Sequence, residues 1–208
     1  MTFLFLAVED ELTEFLARKI IQQSQLNDIE IRVLGKQGNG FLRSNISNYM
    51  KMAAHQVVVL ITDLDRVPCA PSLVKNWTDG RNLPNKLVFR VAIREAESWV
   101  LADREGFAEF LGVRLSKLPL DPDRLEDPKR ELISLARSSN KRAFRDEIIP
   151  VRGSTSRQGF GYNQALGRFV EQIWSIDRAI SHSNSLERAV RHIHRVLPEI
   201  EEQERLNA

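Results

Sequence analysis

Four short apolar runs, each followed by an amphipathic or polar segment, limit most strongly how this chain can fold. They lie at residues 2–8, 29–34, 57–62 and 86–93. The first, TFLFLAV, is apolar enough for a strand buried on both faces, and the third, VVVLIT, is the clearest strand of the four. Strands that alternate with helices form parallel sheets, because each crossover helix packs back on the sheet. The pattern therefore predicts an α/β domain with a mostly parallel sheet flanked by helices.

The alternating pattern ends near residue 112, and the rest of the chain has a different character. A connector punctuated by prolines, LPLDPD, lies at residues 118–123. The glycine-rich residues 35–40 are predicted to form a loop, and helices are predicted at residues 10–23, 42–54, 95–111, 127–137, 162–174 and 185–196. The 208 residues suit one core with an elaborated C-terminal region. We expect an α/β domain over residues 1–112 and a mainly helical extension over residues 113–208.

Composition excludes several classes of protein. Hydrophobic residues make up 42% of the chain and charged residues 28%, an ordinary globular mixture that argues against wholesale disorder. The apolar runs are far shorter than the roughly 20 residues that a membrane-spanning helix needs. The first run lacks a basic lead and ends in three acids, which argues against a secretory signal. The single cysteine, Cys69, allows neither an internal disulfide nor a cysteine-based zinc site. We therefore expect a cytoplasmic protein.

Acidic residues follow three of the predicted strands. Glu9 comes directly after the first strand, Asp63 and Asp65 follow the third, and Glu95 and Glu97 follow the fourth. The carboxyl ends of parallel strands meet at one edge of a sheet, where ligands bind. A single acid at such a junction is explained by capping of the next helix. Capping does not require both members of the Asp-x-Asp pair.

Carboxylates that meet at one edge repel one another. Within about 4–6 Å they raise each other's pKa unless a cation compensates them. Oxygen ligands without cysteine or clustered histidine favour Mg²⁺ or Mn²⁺ over zinc. The spacing therefore predicts a divalent-metal site at this edge, with the acids Glu9, Asp63, Asp65, Glu95 and Glu97 as its candidate ligands.

Two of these motifs resemble those of a known domain. LAVE at the end of the first strand and ITDLD at the end of the third look like the TOPRIM domain, which is shared by topoisomerases of types IA and II, primases and OLD-family nucleases. Glu-Ser-Trp at residues 97–99 is similar to a motif of small stand-alone TOPRIM-like proteins that are encoded beside an ATPase in bacterial defence loci. The resemblance covers residues 1–112 and implies a Rossmann-like sheet. The chain departs from the motif at two points: Asp10 stands where a glycine commonly follows the first glutamate, and the later acid of the motif is displaced. Glu11 and Glu14 are both available in its place, which leaves the fourth ligand open.

The resemblance implies roles for the acids. Glu9 matches the glutamate that acts as general acid/base or metal ligand, Asp63 and Asp65 match the metal-binding pair, and Glu97 is a further ligand. It implies phosphodiester chemistry with a divalent metal. Topoisomerases use a tyrosine nucleophile, and neither tyrosine of this chain lies in a recognisable tyrosine-bearing domain, which favours hydrolysis. The expectation is a metal-dependent nuclease that acts as the effector of a two-component anti-phage defence system, with the ATPase as a separate chain.

Basic residues supply candidate contacts to a nucleic-acid substrate. Lys36 lies in the glycine-rich segment, where backbone N–H groups can approach a phosphate closely, although the segment lacks the Walker pattern. Lys129 is a candidate for stabilising transition-state charge. Bases outnumber acids between residues 141 and 168, and Lys141, Arg142 and Arg145 are predicted to contact a phosphate backbone.

Two other functions remain open. The same fold could serve as a non-catalytic interaction module that binds an ATPase partner or nucleic acid, with the acids merely capping helices. A nucleotidyl-transfer enzyme is the third possibility, since primases share the metal arrangement that the resemblance implies.

Overall fold

The computed structural model describes residues 3–24 and 29–206, with side chains described through residue 198. Its centre is a four-stranded parallel sheet in the order β2-β1-β3-β4. The strands are β1 Phe3–Val8, β2 Glu30–Gly35, β3 Val58–Asp63 and β4 Leu87–Ala92. The predicted α/β architecture with a parallel, Rossmann-like sheet is confirmed. Thr2, which opens the first predicted strand, lies outside the described residues.

The helices between and after the strands follow the predicted alternation. Among the described residues they are α1 Glu11–Gln22, α2 Gly38–Ser44, α3 Ile46–Met52, α4 Ala70–Trp77, α5 Glu97–Ala102, α6 Arg104–Leu111, α7 Pro128–Arg137, α8 Arg142–Ile148, α9 Tyr162–Gln172, α10 Ile176–Ala179 and α11 Asn184–Leu206. The predicted mainly helical C-terminal region is confirmed. No helix in the described part of the chain is both long and apolar enough to cross a membrane.

Register places the ends of the two central strands side by side. Val8 of β1 pairs with Ile61 of β3, and Asp63 pairs with Ala92 of β4. The residue after Val8 therefore lies beside the last two residues of β3. This pairing brings the Glu9 side chain within reach of Thr62 and Asp63.

Two predicted elements differ from the structure near the sheet. The segment 35–40 is not wholly a loop, because α2 begins at Gly38. The single helix predicted over residues 42–54 is instead α2 and α3, which meet at Asn45. The Asn45 side chain donates a hydrogen bond of 2.9 Å to the Phe41 carbonyl oxygen, and such a bond competes with helix continuation.

The apolar side chains of one sheet face pack under the helices that follow β2 and β3. This core includes Val58, Leu60, Phe89, Val91, Leu42, Tyr49, Leu73 and Trp77. Leu64, between the two aspartates of the Asp-x-Asp pair, is 3% exposed and belongs to the same core. The pair is therefore anchored by an apolar residue between its two acids.

Contacts divide the chain into two compact units. One comprises Met1–Ile93 and Glu187–Ala208, and the other comprises Arg94–Leu186. The first contains the sheet and most of α11, which runs further than the predicted 185–196 and includes Pro198. The second unit begins at Arg94, whereas the predicted boundary follows residue 112, where the alternation of strands and helices ends.

The regular secondary structure of the second unit consists of helices joined by irregular segments. The helix predicted over residues 95–111 breaks at Asp103, whose backbone leaves the helical region. Asp103 is fully buried and accepts hydrogen bonds of 2.6 and 2.7 Å from the Arg178 guanidinium, and one of 3.1 Å from the Gly106 N–H. The carboxylate thus caps α6 and forms an ion pair in which the acid is buried and Arg178 is partly exposed. A pattern of apolar spacing does not reveal such a break.

Candidate functional site

Glu9 lies at the carboxyl end of β1 and reaches across to the end of β3. Its Oε1 accepts hydrogen bonds from the Thr62 hydroxyl and, at 2.8 Å, from the Asp63 N–H. The register explains both contacts, because Glu9 follows the residue that pairs with Ile61. The carboxylate is half-buried and fixed by two donors from the neighbouring strand.

The surroundings of Glu9 disfavour its negative charge. Burial raises the pKa of the Glu9 carboxyl, the hydrogen bonds from Thr62 and Asp63 oppose that effect, and the charges of Asp65 and Asp10 raise the pKa further. The net direction is upward. A cation bound beside Glu9 would favour the ionised form, as the predicted metal requires.

Asp65 is held by a polar contact from α2. Its Oδ2 accepts a hydrogen bond of 2.7 Å from Asn39 Nδ2, and its φ of +50° lies in the left-handed region. Aspartate tolerates that region better than most residues. Helix α2 and the end of β3 together determine where this carboxylate lies.

The donor set fits a hard divalent cation by its chemistry. Glu9, Asp63 and Asp65 offer carboxylate oxygens, the ligands that Mg²⁺ prefers. Within residues 3–24 and 29–198, no group of three or more His, Cys, Asp or Glu side chains is gathered closely enough to hold a metal ion. The metal site itself stays a prediction.

The glycine-rich segment contacts the end of β1 through its backbone. The Lys36 N–H donates to the Val8 carbonyl oxygen at 2.8 Å, and the Gly38 N–H donates to that of Glu9 at 3.1 Å. Gly35 has a φ of +113°, and a Cβ there would lie 2.7 Å from the Val8 carbonyl oxygen. Lys36 Nζ lies 3.0 Å from Glu14 Oε2, so its ammonium has a carboxylate partner. The phosphate contact predicted for Lys36 stays a prediction.

Glu97 and Glu95 belong to the second unit, where Lys129 contacts both. Glu97 is 2% exposed, and its Oε1 accepts a hydrogen bond of 2.9 Å from the Tyr162 hydroxyl. Lys129 Nζ lies 3.2 Å from the same oxygen, and the Lys129 N–H donates to Glu95 Oε2 at 3.0 Å. The Lys129 ammonium therefore compensates the negative charge of the buried Glu97 carboxylate.

The predicted basic contacts in the second unit each have local partners. Lys141 Nζ donates to the Glu109 carbonyl oxygen at 2.9 Å, and Arg145 Nη1 donates to that of Ser139 at 3.2 Å. Arg142 lies 3.6 Å from Asp146 one helical turn away. Their role toward nucleic acid stays a prediction.

A basic cleft of ≈ 340 Å³ lies elsewhere in the same unit. Its charged lining is Lys129, Arg130, Arg137 and Arg157, with Asp127 as its one acid. Arg130 and Arg137 are seven residues apart on α7, which puts them on one helical face. That spacing is the sequence signal for these two arginines.

Three contacts to the predicted acids, two in the first unit and one in the second, could not be identified from sequence patterns. Thr62 donates to Glu9, Asn39 donates to Asp65, and Tyr162 donates to Glu97. Each depends on strand register or on packing between elements distant along the chain.

Comparison with known proteins gave no match. No family model fits the chain, and neither the curated proteins nor the solved structures include one that is significantly similar to it.

Proposed function

We propose that the chain is a divalent-metal-dependent nuclease whose reactive centre lies at the carboxyl edge of the sheet. The observation that carries the proposal is the position of Glu9. Its half-buried carboxylate is fixed at the end of β3 by the Thr62 hydroxyl and the Asp63 N–H, and Asp65 follows Asp63 two residues later. Such an arrangement concentrates negative charge at the edge, and a bound cation would stabilise it.

The residues at this edge have separable tasks in the proposed reaction. Glu9, Asp63 and Asp65 would hold Mg²⁺ or Mn²⁺, which when bound activates a water and stabilises developing charge on the phosphate oxygens. The raised pKa of Glu9 brings its carboxyl nearer to the range in which a group both accepts and releases a proton. Thr62 holds this carboxylate in place through its hydroxyl.

Nucleic acid is the proposed substrate. The basic cleft of the second unit supports this choice, because arginine and lysine side chains that line a concave surface attract a phosphate backbone. The ATPase partner, the anti-phage role and the cytoplasmic location rest on the TOPRIM resemblance and on the single cysteine.

A cleavage assay tests the proposal. Labelled DNA, RNA and nucleoside triphosphates are incubated separately with the purified chain in Mg²⁺, Mn²⁺ or EDTA. We expect metal-dependent cleavage of nucleic acid that Glu9→Gln and Asp63→Asn abolish and that Glu30→Gln, at an exposed position at the start of β2, retains. Cleavage that survives both substitutions would contradict the proposal, as would product formed only from triphosphates, which indicates nucleotidyl transfer.

A further inference from the structure

An arginine lies in the middle of an otherwise apolar edge strand. Arg90 is the one charged residue of β4, LVFRVA, and it is half-buried. On the opposite edge strand, β2, Arg32 lies 3.0 Å from its acidic partner Glu30. Arg90 Nη1 contacts His192 Nδ1 at 3.3 Å, and Arg90 Nε is buried with no hydrogen-bond partner among the described residues. Arg32 is thus paired with a carboxylate on its own strand, whereas the contact of Arg90 is with a histidine.

The neighbours of Arg90 add positive charge. Arg188, Arg191 and Arg195 occupy positions i, i+3 and i+7 of α11, which lie along one helical face. Burial lowers the pKa of Arg90, and the charges of Arg188 and Arg191 lower it further. Arg191 has a carboxylate partner, Glu187, at 3.1 Å. These four residues, Arg90, Arg188, Arg191 and Arg195, are called here the arginine cluster.

A guanidinium without a carboxylate partner is suited to bind phosphate. Its planar array of N–H donors matches two phosphate oxygens, and the bond is stronger when both groups are charged. Like charges held together on a partly buried surface are unfavourable unless an anion compensates them. Arg90 Nε has no hydrogen-bond partner among the described residues, and the neighbouring Arg188 and Arg191 are also positively charged. The cluster is therefore suited to bind an anion such as phosphate.

The length of the cluster favours a chain of phosphates over a single one. Seven residues separate Arg188 from Arg195, which corresponds to about 10 Å along a helix. A nucleic-acid strand carries a phosphate about every 3.4 Å of helix rise, so this distance spans about three nucleotides. We infer that the arginine cluster binds consecutive phosphates of a nucleic-acid strand.

Strand register relates the cluster to the acidic edge of the same unit. Arg90 pairs with Ile61, and Asp63 lies two residues further along β3. Alternation puts Ile61 and Asp63 on the sheet face to which Arg90 belongs, with about 7 Å of strand between the two positions on β3. A nucleic-acid strand bound by the arginine cluster would therefore pass close to the acidic residues at the carboxyl edge of the sheet. The choice of nucleic acid as the anion rests on the proposed function, whereas the cluster itself does not.

Binding without metal tests the inference separately from catalysis. Fluorescein-labelled single-stranded DNA or RNA is titrated with the full chain in EDTA at several salt concentrations. Arg188→Gln and Arg191→Gln should each weaken binding by on the order of three- to tenfold and reduce the steepness of the salt dependence by about 0.7 for each phosphate that is no longer neutralised. Arg90→Met should act in the same direction, and the two exposed substitutions keep the test valid if Arg90→Met impairs folding.

Arg32→Gln is the matched control, because Arg32 lies on the other edge strand and has its own acid. It should leave both affinity and salt dependence unchanged. Wild-type affinity and slope in an Arg188→Gln/Arg191→Gln double variant would overturn the inference. Binding of poly-glutamate, but of neither DNA nor RNA, would also overturn it. Because these measurements exclude divalent cations, failure of cleavage leaves their outcome unaffected.

Discussion

The Asp63 N–H donates a hydrogen bond of 2.8 Å to Glu9 Oε1, which joins the carboxyl ends of the two central strands. The donor is the last residue of β3, and the acceptor is the first residue after β1. A peptide group has no freedom to titrate or to leave, so it fixes the carboxylate more firmly than a mobile side chain can. The position of the Glu9 carboxylate is therefore fixed by the pairing of β1 with β3.

Replacing Glu9 should change the pH dependence of stability. The pKa of Glu9 is raised in the folded state, so the folded chain binds the proton more tightly than the unfolded chain does. The stability that Glu9 contributes is therefore fully present below the ordinary glutamate value and is lost as pH rises through the raised one. In EDTA, Glu9→Gln should gain stability relative to wild type across that range.

Urea unfolding of both proteins between pH 4 and pH 8 measures this difference. Mg²⁺ should then stabilise the wild type by about 2.7 kcal/mol at a hundred times its Kd, with little effect on Glu9→Gln. A difference between the two proteins that does not vary with pH would contradict the assigned direction.

Thr62→Val should shift the pH profile of cleavage. The Thr62 hydroxyl lowers the pKa of Glu9, so its removal should raise that pKa further and move the acidic limb of the rate profile to higher pH. Loss of the buried hydrogen bond should also cost about 1–3 kcal/mol of stability. Thr78→Val is the control, because the Thr78 hydroxyl is also buried but donates to the Val74 carbonyl oxygen. An equal shift of the limb in both variants would argue against a specific role for Thr62.

Gly35→Ala should damage the site more than the same substitution at another glycine with a positive φ. Its φ is +113°, and the added Cβ would meet both the Val8 carbonyl oxygen and Leu42. Gly80 also has a positive φ, +70°, but has open space around it. We expect both alanine variants to lose about 1 kcal/mol or more from backbone strain. Only Gly35→Ala should also lose metal-dependent cleavage, because the clash displaces the end of β1. Equal cleavage activity in the two variants would show that Gly35 does not support the geometry of the site.

The Lys129 and Glu97 pair should behave as a buried ion pair. Lys129→Met leaves the buried Glu97 carboxylate without its ammonium partner, at an expected cost of about 3–5 kcal/mol. Adding Glu97→Gln should recover much of that loss, because the neutral amide can still accept from Tyr162. The control is Arg142→Met, which breaks an exposed pair and should cost under about 1 kcal/mol. Strictly additive effects of the two substitutions in urea unfolding would show that the pair is not coupled.

Sequence patterns are sufficient for the elements that depend on local composition. The four apolar runs form the four strands, because strands buried in a parallel sheet need long apolar stretches. The positions of Glu9, Asp63 and Asp65 follow from the same pattern, since acids after buried strands must lie at the sheet edge.

Interactions between distant residues lie beyond these patterns. The break at Asp103 depends on Arg178, seventy-five residues away, and the hydrogen bond from Thr62 to Glu9 depends on strand register. The start of α2 at Gly38 is not predicted, because composition alone favours a loop there. Register and ion pairing are properties of the folded chain, and no periodicity encodes them.

The most direct test of the central claim is calorimetric titration of the metal-free chain with Mn²⁺ at pH 6 and pH 8, in the wild type, Glu9→Gln and Asp63→Asn. We predict saturable binding to the wild type that is tighter at pH 8, because binding requires ionised Glu9, and at least tenfold weaker binding to either variant. Binding of equal strength in all three proteins, or no saturable binding to the wild type, would contradict a metal site at the carboxyl edge of the sheet.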